Sequence, residues 1–402
     1  VSTMLKKLIS TLLITSVAAL TLTAQAQTPA RPTLNAPSAA APIVPTAPEL
    51  AATSYLLIDA NSGAVLVEHN ADTPLPPASL TKMMTSYIVS QEIKRGQIGE
   101  NDPVLVSEKA WRMGGSKMFI RVGTEVSVID LLRGVIIQSG NDASIALAEH
   151  VAGSEDAFAD LMNAQAQRLG MTNTHFVNAT GWPAEDHYAS ARDLAILAQA
   201  IIRDDPKSHY AIYGEKEFVW NDIRQPNRNL MLWRDSTVDG LKTGHTDEAG
   251  FCLVASAKRD DMRLISVVMG TTSEAARAAE TQKLLTWGFR FFETKTFYQP
   301  GQVLADERVW KGAQSSVQLG LQDGLMLTLP KGQADKLEAS LSLNKPLIAP
   351  IQVGDVLGEV EVKLGEEVVH KAPLVALTAV EEGGLFGRLW DSIRLFFYGL
   401  FD

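Results

Sequence analysis

Two periods of apolar and polar residues divide the chain. Ser54-Tyr55-Leu56-Leu57-Ile58-Asp59 and Ala64-Val65-Leu66-Val67-Glu68 are short runs rich in β-formers, separated by Asn61-Ser62-Gly63, and together they predict a hairpin. Leu75-Pro76-Pro77-Ala78 follows. Proline is tolerated ahead of a helix and not within one, so a helix is expected to begin near Ser79 and run through Thr81, Met84, Tyr87 and Ile88. Helical spacing recurs around 128–138, 142–152, 155–169 and 190–202. Apolar strands at 251–257 and 264–269 come next, and then a long amphipathic helix at 274–292. These late strands are too close in sequence for helical crossovers, so the sheet is expected to be antiparallel and the class α+β. After Thr294 the pattern shortens to β-like runs at 317–321, 325–329, 337–343, 356–362 and 374–377, punctuated by Gly and Pro. That texture predicts a small all-β domain over 295–380.

The two ends differ from this interior. Lys6 and Lys7 precede an apolar run from Leu8 to Leu22 and then Ala24-Gln25-Ala26, the three parts of a secretory signal peptide covering residues 1–26. The competing reading is a membrane anchor, but the run is shorter than the ~20 residues a bilayer needs and is broken by Ser10, Thr11, Thr15 and Ser16. Residues 27–50 are Pro, Ala and Thr with almost no charge, an extended linker that leaves 51–294 for the first folded domain. At the other end, over 385–402, helical spacing gathers Phe386, Leu389, Trp390, Ile393, Phe396, Phe397 and Leu400 on one stripe, with Arg388, Asp391 and Tyr398 off it. Such a helix packs on its own domain or lies in a membrane interface. Its terminal position, aromatic content and Glu381-Glu382-Gly383-Gly384 lead-in favour attachment to a membrane surface. Arg388, Asp391 and Arg394 disfavour spanning.

Composition narrows the field. A length of 402 residues suits two domains plus the end segments, and a net charge of −10 gives no electrostatic footprint for nucleic acid. Cys252 is the single cysteine, so no intrachain disulfide forms, and its apolar strand neighbours mark it as an inert core thiol. The 7 histidines are scattered without metal-ligand spacing, and neither a metal nor another cofactor is implied.

The chemistry lies in three short stretches of the first domain. Ser79-Leu80-Thr81-Lys82 places a hydroxyl and an amine on one face of a helix start, where a desolvated lysine would take the serine's proton. By itself the motif is weak, since chance supplies it about once in a chain of this size. Ser139-Gly140-Asn141 sits between two expected helices and reads either as a proton relay beside an amide or as an ordinary helix cap and turn. Lys242-Thr243-Gly244, at the edge of an apolar strand, reads either as a turn or as a carboxylate site, with Gly244 permitting close backbone approach.

Taken together and in this order, the three are the motif set of the penicillin-recognising serine enzymes. Ala78-Ser79-Leu80-Thr81-Lys82-Met83-Met84, Ile137-Gln138-Ser139-Gly140-Asn141-Asp142-Ala143 and Asp239-Gly240-Leu241-Lys242-Thr243-Gly244-His245-Thr246 resemble the low-molecular-mass penicillin-binding proteins, the serine-type D-alanyl-D-alanine carboxypeptidases of the penicillin-binding protein 5/6 group. Leu284-Leu285-Thr286-Trp287-Gly288-Phe289-Arg290-Phe291-Phe292 is similar to that group's helix leading into its second domain. The resemblance implies a β-lactamase-like catalytic domain, with an antiparallel sheet flanked by helices plus a helical subdomain, then a small all-β domain and the C-terminal amphipathic helix. It also implies removal of the terminal D-alanine from peptidoglycan pentapeptide stems, inhibition by β-lactams and residence at the periplasmic face of the inner membrane. Ser79 would be the nucleophile, Lys82 its base and Ser139 the proton relay to the leaving D-alanine. Asn141 and Lys242 would hold substrate amide and neighbouring hydroxyls, and Thr243 the terminal carboxylate. The backbone N–H groups of Ser79 and His245 would form the oxyanion hole. Arg228 and Arg277 match two further pocket arginines, although an arginine on a helix is as often on a solvated face. Thr271-Thr272-Ser273-Glu274 is less basic than the group's pattern. A β-lactamase would need a deacylating carboxylate after the second motif, and Glu185 is the candidate there. A D,D-endopeptidase and a β-lactam-sensing or wall-binding module that does not turn over are the other readings.

Overall fold

The computed structural model describes residues 44–398. The expected signal peptide, the linker up to residue 43 and Leu400 lie outside the described residues.

The first domain is organised by five antiparallel strands: β1 (Ser54–Asp59), β2 (Val65–His69), β3 (Val238–Thr246), β4 (Gly250–Arg259) and β5 (Met262–Thr271), in the order β2-β1-β5-β4-β3. Side chains alternate across a strand, and both faces of the inner strands β1, β4 and β5 are covered, so these read as continuous apolar runs instead of alternating ones. Leu56 and Ile58 of β1, with Val254, Ile265 and Val267, join the core of the helical side. Tyr55 and Leu57, with Leu253, Ala255 and Leu264, pack against Leu284, Leu285 and Phe289 of the helix Glu274–Phe291 on the opposite side. Ser273 caps that helix by accepting the Ala276 N–H.

The helical side contains α1 (Lys82–Lys94), α2 (Val128–Arg133), α3 (Asn141–Ala152), α4 (Glu155–Leu169) and α5 (Ala191–Asp204); the long helix on the other face is α6 (Glu274–Phe291). Two details depart from the periodicity. The helix expected from Ser79 opens as a 3₁₀ turn, Ala78–Thr81, and becomes α-helical at Lys82. The segment expected as one helix over 128–138 widens after Arg133 into a π-turn, Gly134–Gln138, ending on Ser139 in the left-handed conformation at φ 64°. The wider turn inserts an extra residue, with Ser139 N–H reaching back five residues to Gly134 C=O, which also accepts the Gly140 N–H at 2.9 Å, and re-aims the side chain that follows.

The second domain is all β. Strand β6 (Phe292–Tyr298) follows α6 directly, spans the 294/295 boundary expected from sequence, and pairs along its length with β9 (Leu325–Pro330). The six-stranded sheet has the order β10-β12-β13-β8-β7-β11, formed by β7 (Val303–Trp310), β8 (Ser316–Gly320), β10 (Leu337–Leu343), β11 (Leu347–Ile348), β12 (Val356–Leu364) and β13 (Glu367–Ala376). A hydroxyl chain ties this domain to the β1–β2 turn: Thr294 Oγ1 donates to Asp59 Oδ2 at 2.8 Å, and Thr328 Oγ1 lies 2.6 Å from Ser62 Oγ.

Helix α7 (Leu385–Tyr398) closes the described chain. Asp391 Oδ2 accepts the Lys311 N–H at 2.7 Å and Arg388 pairs with Glu382, so polar residues of the helix engage the second domain. The apolar stripe does not: Phe386, Leu389, Trp390, Ile393, Phe396 and Phe397 are 45–91% exposed. Among the described residues no helix is long and apolar enough to cross a membrane.

Candidate active site

A cleft of about 710 Å³ lies where the 3₁₀ turn, the π-turn and the edge strand β3 meet. Ser79, Ser139, Asn141, Thr243, Gly244, His245, Arg228 and Arg277 all line it. The long-range fold thus brings together all three motifs, although they are spread over more than 160 residues of sequence.

Lys82 is completely buried at the start of α1, below Ser79. Its Nζ is 3.0 Å from Ser79 Oγ and donates to Asn141 Oδ1 at 2.7 Å and to the Thr180 carbonyl at 2.6 Å. Burial lowers its pKa to about 7, assisted by the positive charge of Arg228 and opposed by Asp142. An amine poised near neutrality beside a hydroxyl is suited to remove that hydroxyl's proton. Ser79 itself is half-buried and open to the cleft.

Ser139 Oγ accepts from Lys242 Nζ at 3.0 Å. Lys242 is also buried, and burial, reinforced by Lys82, Arg228 and Arg277, pushes its pKa well below the ordinary lysine value. The Asn141 amide is engaged at both ends, since its Nδ2 donates to Gly114 C=O at 2.8 Å while its Oδ1 accepts from Lys82. In this state Asn141 holds the lysine and the facing loop together. Asp142 fixes that same loop by accepting the N–H groups of Met118, Phe119 and Ile120.

Gly244 lies against the segment that carries Ser79: a Cβ there would sit 2.9 Å from Pro77 C=O and 3.2 Å from Leu80 N. Arg277 is buried, contrary to the solvated helix face that its surroundings allowed. It donates to Gly244 C=O at 3.2 Å, pairs with Glu274 at 3.4 Å and lies over the Phe251 ring. The buried side of α6 is packed against β4 and β5, and from there the arginine reaches across to the Gly244 carbonyl of β3, which is why this helical arginine faces inward. His245 is exposed and stacks on Phe251 at 3.9 Å. Arg228 is exposed at the rim, on a loop pinned by Asn229 Nδ2 donating to Gly240 C=O at 3.0 Å. Glu185 is exposed and does not line the cleft, so the carboxylate of a class A β-lactamase has no counterpart at that position. Cys252 is buried away from solvent, with its thiol pushed up to about 11 by burial. Among the described residues, no group of His, Cys, Asp and Glu is arranged to hold a metal ion.

Sequence reasoning missed the wall formed by Thr180, Gly181, Trp182 and Pro183. Gly181 has φ 80°, and a Cβ on it would lie 1.8 Å from Ala78 C=O, so the loop rests directly on the segment that carries Ser79. Asn178 shapes the loop by accepting the N–H groups of Thr180, Gly181 and Trp182. Asn178 followed three residues later by glycine was a legible turn signal, but nothing local connects that turn with Lys82.

A family model described as D-alanyl-D-alanine carboxypeptidase matches residues 41–273, and one described as penicillin-binding protein 5, C-terminal domain, matches 292–382. The chain is 49% identical over 363 residues to D-alanyl-D-alanine carboxypeptidase DacC of Escherichia coli K12, covering 88% of this chain and 90% of that protein. It is 48% identical over 367 residues to DacA of the same organism, covering 89% and 91%. The structure of penicillin-binding protein 5 from Haemophilus influenzae superimposes with a TM-score of 0.80 at 45% identity, covering 84% of this chain and 99% of that one.

Proposed function

The chain belongs to the D-alanyl-D-alanine carboxypeptidase family and is a serine-type D-Ala-D-Ala carboxypeptidase of the penicillin-binding protein 5/6 group, and from this premise we propose that it removes the terminal D-alanine of peptidoglycan pentapeptide stems through an acyl-enzyme at Ser79. The observation that supports this reading best is the buried Lys82 amine 3.0 Å from Ser79 Oγ, with its pKa lowered to about 7.

Lys82 as the free amine takes the Ser79 proton while Oγ attacks the carbonyl of the penultimate D-alanine. The backbone N–H groups of Ser79 and His245 receive the developing oxyanion, which they stabilise without reorganising. Thr243, Arg228 and Arg277 hold the substrate's terminal carboxylate, and its negative charge offsets the mutual repulsion of the buried cations. Collapse of the tetrahedral intermediate breaks the peptide C–N bond, and the proton that Lys82 took from Ser79 passes through Ser139, whose Oγ is bonded to Lys242, to the leaving amine, so that Lys82 is returned to the free amine. Water then attacks the ester and regenerates Ser79, with Lys82 again the adjacent amine. A β-lactam enters the same cleft and acylates Ser79 in the same way.

The enzyme works as an exported protein on the periplasmic face of the inner membrane. Support for attachment is the exposed apolar stripe of α7 beside a polar side engaged with the second domain. The test is incubation with a D-Ala-D-Ala stem peptide and a fluorescent penicillin in parallel, with free D-alanine and covalent label both quantified. Stoichiometric label on Ser79 and steady D-alanine release are expected. Rapid turnover of penicillin without D-alanine release would make the protein a β-lactamase, and label without turnover of either would make it a sensor.

A further inference from the structure

His187 lies behind the site on the loop that ends at α5 and is 7% exposed. Its ring nitrogens have separate partners. The Val177 N–H points at Nδ1 at 2.9 Å, so Nδ1 carries the lone pair and the hydrogen belongs on Nε2. Nε2 is 2.8 Å from Thr81 Oγ1, the hydroxyl one residue before Lys82. The tautomer is therefore set by the backbone, and the imidazole donates to Thr81. Burial supports this state by pushing the imidazole down to about 4, with His175 and Lys82 adding to the effect.

The segment between Val177 and His187 contains the Thr180 carbonyl that accepts from Lys82. Thr85 Oγ1 holds Ala179 C=O at 2.7 Å, and Glu155 accepts the Ala179 N–H at 3.2 Å, which fixes one side of that carbonyl. His187 closes the other side, joining the two ends of the loop to each other and to the 3₁₀ turn. We propose that His187 is a positioning residue for acylation: through Nε2–H to Thr81 and Nδ1 from Val177, it holds the 177–187 loop against the nucleophile segment and so keeps the Thr180 carbonyl on the Lys82 amine. The proposal rests on Ser79 and Lys82 acting as nucleophile and base.

The experiment compares wild type with His187→Leu, His187→Gln, Thr81→Val and the His187→Leu/Thr81→Val double variant, using stopped-flow acylation by a fluorescent penicillin, normalised to the labelled Ser79 sites in each preparation. His187→Leu is expected to lower the acylation rate constant at saturation about tenfold per labelled site, with the dissociation constant of the pre-covalent complex moving less than about threefold. Glutamine supplies both an acceptor and a donor and is expected to recover most of that loss. Thr81→Val is expected to slow acylation by a comparable factor and to add little in the His187→Leu background, because both act through one bond. Unchanged acylation per labelled site in His187→Leu and in Thr81→Val, whatever happens to the melting temperature, would reduce His187 to a packing residue and overturn the proposal. Equal slowness of Gln and Leu would overturn it as well. Wild type that fails to label at Ser79 would instead remove the nucleophile–base reading, an outcome distinct from either.

Discussion

At the scale of single residues, the proposed mechanism divides the site into groups that react and groups that set their charge. Ser79→Ala is expected to abolish both penicillin labelling and D-alanine release, since among the serines of the cleft Ser79 alone stands at a helix start with a lysine three residues on. Mass spectrometry of the labelled protein checks this, and label at a different serine would displace the assignment. Lys82 has its pKa lowered to about 7 because burial and Arg228 disfavour the ammonium. Acylation needs the free amine, so its rate constant should fall about tenfold per pH unit below that value and level off above it. A flat profile between about pH 5 and pH 9 would exclude Lys82 as the base. Lys242→Ala should slow acylation by substrate and β-lactam alike by at least about tenfold, because it removes both the Ser139 partner and a buried donor from the anion-facing wall. Equal acylation rates in the variant would exclude that role.

At the scale of elements, what was legible in the sequence depended on whether the signal was local. The inner strands β1, β4 and β5 of the first sheet announced themselves as apolar runs because both of their faces are covered, and the capped helices because their periodicity and end residues agree. The three motifs were legible as a set, and Arg277 was only half legible, since its helix gives no local sign that this side chain turns inward to the Gly244 carbonyl. The π-turn before Ser139 was not legible because the apolar periodicity runs through it without a break, and the placement of the loop over 177–187 was not legible because it is set by contacts distant in sequence: Gly181 with Ala78, Thr180 with Lys82, His187 with Thr81. That loop gives an element-scale prediction. Gly181→Ala places a methyl group against the Ala78 carbonyl at a positive φ, so backbone and contact terms both oppose it. Loss of several kcal/mol of stability is expected, at least about 2 kcal/mol, together with loss of most labelling. Calorimetry and label counting would show it, and a variant as stable and as fully labelled as wild type would mean that the loop does not bear on the nucleophile segment.

At the scale of the whole molecule, the proposed chemistry and the proposed attachment occupy different parts of the chain. The groups around Ser79 lie between residues 78 and 277, whereas the exposed stripe belongs to α7, whose contacts are with the second domain through Asp391 and Arg388. Removing residues 385–402 should therefore give a soluble enzyme that labels and releases D-alanine at the rate of the full chain. Burying the stripe partway into a bilayer stabilises attachment by several kcal/mol at about 25 cal/mol per Å² of apolar surface, enough for reversible binding and less than a spanning helix would give. Because apolar burial is not screened by ions, the full-length protein should stay with membranes in high salt, where a purely electrostatic tether would release. Fractionation of both forms, with and without high salt, measures this directly. A truncated protein that remains on membranes would place the attachment elsewhere, and a full-length protein stripped by salt alone would make it electrostatic. Asp391→Ala sharpens the test, since it removes the acceptor for the Lys311 N–H while leaving the stripe intact. If the stripe is what binds, that variant should fractionate with membranes like wild type, and its release into the soluble fraction would show that the docked setting of the helix is needed as well.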